Sequence, residues 1–117
     1  MKQQLMALAA VRFAMVDVEG QSVRVREIGT TDFAKYGEII NGKKAEKDQP
    51  AVAPDKQEAT AFMISKCVVE VDSDTPLLTI EEARQIAASA RVSMPIVSKV
   101  MELSGFKGEE EKHPDAS

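Results

Sequence analysis

The chain has 117 residues, 44% of them hydrophobic and 29% charged, with a formal net charge of -4. That is enough for one domain with a modest core, and too little for two. The acidic balance argues against a dedicated nucleic-acid binder, which carries a basic excess to neutralise phosphates. Aromatic residues make up only 4% and Trp is absent, so the core has to rest on Val, Ile, Leu, Ala and Met. The single cysteine, Cys67, rules out an intramolecular disulfide and fits a cytosolic protein.

The opening MKQQLMALAAVRFAM has the look of a secretory leader. Arg12 interrupts its apolar run, however, which extends only from Leu5 to Val11. That is at the short limit for a leader core and far below the ~20 residues of a membrane span, so the segment is expected to belong to the mature protein. Residues 3–13 predict a short helix in which Leu5, Met6, Leu8, Val11 and Phe13 occupy nearly the whole circumference. A helix apolar all round is either sandwiched between two layers or meets another chain.

The next segment, VDVEGQSVRVREI, predicts a hairpin. A type II′ turn at Gly20-Gln21 pairs Glu19 with Ser22, Val18 with Val23, Asp17 with Arg24 and Val16 with Val25. All four valines then share one face, and Asp17 faces Arg24 on the other. Such a hairpin is marginal alone and requires helices to cover it.

Thr30 or Thr31 is placed to cap a helix running to about Asn41, with Asp32 in its first turn. Phe33, Tyr36, Ile39 and Ile40 give it an apolar stripe, and Gly42 ends it. The stretch 42–55 holds three lysines and two prolines and predicts a mobile loop. Asp55 and Glu58 have the spacing of a capping box for a central buried helix that carries Ala59, Ala61, Phe62, Met63, Cys67 and Val68. Val69 and Val71 weaken that helix and Asp72-Ser73-Asp74 breaks it. Thr79 and Glu82 form a second capping box, opening a helix whose face includes Ile80, Ala83, Ile86, Ala87 and Ala90. Ser93 and Pro95 open a last helix with Ile96, Val97, Val100, Met101 and Leu103 apolar. Gly105-Phe106 suits a Schellman ending, with Phe106 folding back on Met101.

The last segment, residues 107–117, predicts a disordered acidic tail. Its two lysines against four acidic residues leave the tail at -2 and the body, from a total of -4, at -2. The chain therefore reads as an α+β domain over residues 1–106, mainly helical, with one N-terminal β-hairpin packed on about four helices.

No residue pattern points to catalysis, a cofactor or a metal. His113, the only histidine, lies in the predicted tail, where nothing would hold a general base in place. Cys67 falls on a buried helix face without a cation or helix N-terminus to activate it. Glu70, Asp72 and Asp74 lack the glycine and the distal glutamate of a calcium loop. Glu109, Glu110 and Glu111 read as a solubilising run. Arg24 and Arg26 share the polar hairpin face with Asp17, a weak patch for phosphates.

Three features in this order resemble the tail assembly chaperones of long-tailed bacteriophages. They are the short apolar N-terminal helix, the hairpin VDVEGQSVRVREI running into GTTDFAKY, and the segment CVVEVDSDTPLLTIEEA. Members of that family show a Val-rich strand pair ending in Arg-Glu-Leu, then an apolar helix ending in Val-Val-Asp, an acidic turn, Pro-Leu-Phe-Thr and Glu-Glu. Here Ile28 stands for the Leu, Glu70-Val71-Asp72 replaces the simpler acidic turn, and Leu78 replaces the Phe. The resemblance covers residues 1 to about 106.

It implies a non-catalytic protein of the host cytoplasm, absent from the mature virion. Such a protein binds the tape measure protein in multiple copies, keeps it soluble and helps recruit tail tube subunits. In many family members a longer frameshifted form carries out that recruitment. The resemblance implies no nucleic-acid or membrane partner. An adaptable aliphatic and Met-rich surface suits such a client, and the chain has six Met. Leu5, Met6, Leu8, Val11 and Phe13 are the expected protein-binding residues, between subunits or against the client. Two rivals stand beside this reading. One is a small helix-turn-helix DNA-binding regulator built on Thr79 to Leu103, against which the last helix offers only Lys99. The other is a structural tail-completion protein, which would remain in the virion.

Overall fold

The computed structural model describes residues 1–106; the acidic tail, with His113 and the Glu109–Glu111 run, lies outside the described residues. The hairpin is present as β1 (Phe13–Val18) and β2 (Gln21–Arg26), closed by Glu19-Gly20 rather than Gly20-Gln21. Both turn residues take positive φ, 53° for Glu19 and 85° for Gly20. That is the signature of a type I′ turn, whose twist matches the strands. The register is therefore Val18↔Gln21, Asp17↔Ser22, Val16↔Val23, Met15↔Arg24, Ala14↔Val25 and Phe13↔Arg26. Each partner has moved by two residues from the expected pairing, so side-chain faces are preserved and the valines remain together. Asp17, however, faces Ser22 and not Arg24.

The N-terminal helix is shorter than its apolar run suggests. α1 spans Lys2–Leu8 and not residues 3–13, because Arg12 and Phe13 are drawn into the sheet. Glu27 N–H donates to the Arg12 carbonyl at 2.9 Å, and Arg12 N–H donates to the Glu27 carboxylate at 3.1 Å. The ladder thus continues one pair beyond the strand ends.

A third strand, β3 (Val68–Val69), pairs antiparallel with β2 through Arg24↔Val69 and Val25↔Val68, giving the order β1-β2-β3. Val68, expected on the central helix, lies in this strand. The β-branched run Val68-Val69 instead leaves the helix as soon as an open strand edge is within reach. The chain then doubles back along β3. Leu77 N–H donates to the Val68 carbonyl and Glu70 N–H to the Thr75 carbonyl, both at 3.0 Å. Pro76, which has no N–H to offer, sits on this outer margin.

Among the described residues, four helices follow the hairpin. α2 (Thr30–Asn41) starts from Gly29 without a side-chain cap, so neither Thr30 nor Thr31 fills that role. It ends at Gly42, φ 72°, where a Cβ would lie 2.7 Å from Pro54 N. The expected loop 42–55 has antiparallel bridges Lys43↔Val52 and Glu46↔Gln49, so it follows a finger-like path. α3 (Lys56–Cys67) is capped by Asp55, which accepts from Glu58 N–H at 3.0 Å. The reciprocal half of that box is missing: Asp55 N–H donates to the Ile39 carbonyl at 3.0 Å, and the Glu58 carboxylate accepts from Arg84 Nε at 3.0 Å and Nη2 at 2.9 Å.

The second box is complete at α4 (Ile80–Ala87). Thr79 Oγ1 accepts from Glu82 N–H at 3.1 Å, and Glu82 accepts from Thr79 N–H at 2.9 Å. Thr79→Ala is expected to lower the unfolding free energy by about 1 kcal/mol in urea titration. α4 stops three residues short of the expected Ala90, and α5 (Ala90–Leu103) starts from Ser89 and not from Ser93 or Pro95. Pro95 lies within the second turn, where it removes one helical donor. The Schellman ending forms: Phe106 N–H donates to Met101 O at 2.8 Å and Gly105 N–H to Glu102 O at 3.1 Å. The Phe106 ring stacks on Phe33, with centroids 4.8 Å apart.

α5 crosses β1 and β2, and α3 packs on α2, α4 and α5. Between them lies one core of Val18, Val25, Ile28, Ala61, Met63, Ile64, Cys67, Val68, Ala83, Ile96 and Val100. The fold is α+β, with its helices on the valine face of a three-stranded sheet.

Candidate functional site

The groups with chemical potential are occupied structurally. Cys67 is 1% exposed, and burial pushes its thiol up to about 12, with Asp32 adding to the rise and Arg26 opposing it. Such a thiol is protonated at neutral pH and a poor nucleophile. Its folded-state value lies above the ordinary 9.0. Folding therefore disfavours ionisation, and this group's contribution is intact below pH 9 and declines as pH rises toward 12. Unfolding free energy measured across that window should fall with a slope steeper by up to ~1.4 kcal/mol per pH unit than in Cys67→Ala. Among the described residues no three His, Cys, Asp or Glu side chains converge to hold a metal ion, and no helix is long and apolar enough to cross a membrane.

The acidic turn has a defined structural task. Arg24 Nη1 donates to the carbonyls of Ser73 and Glu70, and its guanidinium lies 4.0 Å from the Phe13 ring centroid. Arg24 therefore ties the turn after β3 to the strand two places away. Arg26 donates through Nε to the Glu27 carbonyl at 3.1 Å.

Apolar surface is a different matter. No residue of α1 is buried. Leu5, Met6 and Leu8 are 57%, 66% and 65% exposed, and Val11, in the link to the hairpin, is 43% exposed. Leu5 and Leu8, three apart, share one side of the helix. Phe13 is separate from this group: it belongs to β1, half-buried beneath Arg24. Of the ten exposed large apolar side chains among the described residues, six lie within residues 1–15: Met1, Leu5, Met6, Leu8, Val11 and Met15. The exposed apolar surface is therefore concentrated in one N-terminal segment, more than a solvated helix requires. Met15 was not singled out from sequence, although its place between Phe13 and Asp17 in the alternating strand sets it on the face away from the helices.

A second apolar feature lies at the far end of the hairpin. Val18, Val23, Val68, Leu77, Ile86 and Ile96 line a groove of about 400 Å³, with an Arg91–Glu19 ion pair of 3.3 Å at its rim. It combines β-strand, turn and helix residues far apart in the chain, so periodicity within any one element gives no hint of it.

Compared with protein-family models, curated proteins and solved structures, the chain matches none.

Proposed function

We propose that this chain is a non-catalytic assembly chaperone of the kind that long-tailed bacteriophages use to build their tails. It binds the tape measure protein in the host cytoplasm, keeps it soluble and helps bring in tail tube subunits. The observation that carries this reading is the wholly exposed apolar α1 with its neighbours Val11 and Met15. A client that is a long apolar helix needs a partner with flexible aliphatic and thioether side chains, which repack against varied sequence. Leu5, Met6, Leu8, Val11 and Phe13 are the residues assigned to contacts with the client or between subunits.

The DNA-binding rival needs cations on the last helix. α5 carries Arg91 and Lys99, and both face carboxylates: Arg91 lies 3.3 Å from Glu19 and Lys99 lies 3.3 Å from Glu102. Each of these two cations is partly offset by a neighbouring carboxylate, and a recognition helix presents several unopposed ones, which favours the protein-binding reading.

Coexpression with a candidate tape measure protein tests the proposal. The expected result is that the client moves from the insoluble to the soluble fraction and copurifies with several copies of this chain. A client that stays insoluble in its presence overturns the reading. Recovery of the protein from purified virions supports the tail-completion alternative, and a salt-dependent shift of DNA by the pure protein supports the regulator.

A further inference from the structure

The two edges of the sheet are treated differently. β3 is covered along its outer side by the returning chain at Thr75 to Leu77. β1 lies at the opposite edge, and among the described residues no strand pairs with its outer side. The direction of its backbone groups follows from the ladder. Arg12 turns its carbonyl toward β2, and alternation sends Ala14, Val16 and Val18 the same way. Phe13, Met15 and Asp17 therefore direct N–H and C=O outward, and no backbone bond within the described residues engages them. Over Phe13–Val18 there is no lysine, proline or bulge to blunt this edge.

We infer that β1 is the contact between two copies of this chain, pairing antiparallel with β1 of a second copy about a twofold axis at Met15. This goes beyond the chaperone reading and requires no client. Centring on Met15 is the register that uses all three outward residues: Met15 faces the partner's Met15, and Phe13 faces the partner's Asp17. About six ladder bonds result, one donor and one acceptor from each residue.

Charge complementarity selects a second copy over an unrelated strand. Asp17 is exposed and takes no part in the ion pairs of the described residues. The Arg24 guanidinium rests on Phe13 with carbonyls, not carboxylates, as its partners. The proposed register sets each Asp17 against the partner's Phe13, beside the partner's Arg24, and symmetry does this twice. A three-residue ladder is small against the roughly 1,200 Å² that a stable interface buries. The same register brings Val11 level with the partner's Glu19, at the mouth of the apolar groove. The exposed apolar residues of α1, just before Val11 in the chain, are the surface available to enlarge the contact.

Met15→Pro is the direct test, because the donor it removes points outward and the β1–β2 ladder keeps all its bonds. Sedimentation equilibrium of the full chain should give twice 12.7 kDa. Met15→Pro should sediment as a monomer with unchanged circular dichroism, its dissociation constant raised at least about tenfold. Asp17→Lys, fully compatible with an exposed strand position, should weaken the dimer in the same direction and more so at low salt. In the wild-type dimer, the amides of Phe13, Met15 and Asp17 should exchange more slowly as concentration rises. A monomeric wild-type chain overturns the inference, as does a folded Met15→Pro or Asp17→Lys variant that dimerises like wild type. Loss of dimerisation only on removal of α1 would transfer the contact to that helix and equally overturn strand pairing.

Discussion

A chain lacking residues 1–10 should unfold with nearly the same free energy as the full chain and, under the proposed chaperone function, fail to hold the client in solution. The first half follows from burial: no residue of α1 is buried, and the helix contributes nothing to the core. Deleting exposed groups away from caps, networks and cavities changes stability by less than about 0.5 kcal/mol per site. The second half follows from concentration of apolar surface, since the cut removes Met1, Leu5, Met6 and Leu8 together.

The position of the cut matters. Extending it through residue 13 would remove the Arg12–Glu27 pair and the first residue of β1, so a loss of function there would be mixed with damage to the sheet. Paired urea titration and coexpression solubility measurements check both halves. If the shortened chain unfolds outright, the helix is structural and the assigned binding residues are wrong. If it folds and still solubilises the client, α1 is not the binding surface, and the retained Val11, Phe13 and Met15 and the groove between the hairpin and α5 are the next places to test.

Sequence pattern carried furthest where a mistake in detail left physics unchanged. The hairpin turn was displaced by one residue, yet a partner shift of two preserves every side-chain face, so the valine face of the sheet was legible. Glu19 in a left-handed conformation was not legible, because glycine beside it supplied an equally good turn one residue on. β3 escaped for a different reason. A two-residue strand exists only by virtue of the β2 edge it joins, and Val68-Val69 read alone as the weak end of a helix. The break at Ala88-Ser89 was hidden because alanine favours helix, while Pro95, the stronger breaker, proved to be inside α5.

For the candidate site, the apolar residues were legible and their surroundings were not. An all-round apolar helix fits burial as well as exposure, and only tertiary placement separates the two. The same holds for the open edge of β1 and the groove beside Glu19. Both arise from the absence or presence of neighbours distant in the chain, which no local periodicity reports.

Val25→Asp should abolish cooperative folding, whereas Met15→Asp should change monomer stability by no more than about 0.5 kcal/mol. The two positions lie on adjacent strands only one residue out of register, since Ala14 pairs with Val25 and Met15 with Arg24. Their side chains point to opposite faces. Val25 is fully buried between its sheet neighbours and the helices, in contact with the core that includes Met63, Ile64 and Val100. A carboxylate placed there has no donor arranged for it and is neutralised or expels itself, at a cost of several kcal/mol. With a total stability of ~5–15 kcal/mol for a domain of this kind, that is enough to leave the native state sparsely populated. Met15 is 49% exposed, and an aspartate there remains solvated. Thermal and urea unfolding by circular dichroism of the two variants, at concentrations low enough to keep the chain monomeric, separates the faces. Equal losses at both positions would mean that the second face of the sheet is also covered within one chain. The free edge and the exposed N-terminal segment would then need a different explanation.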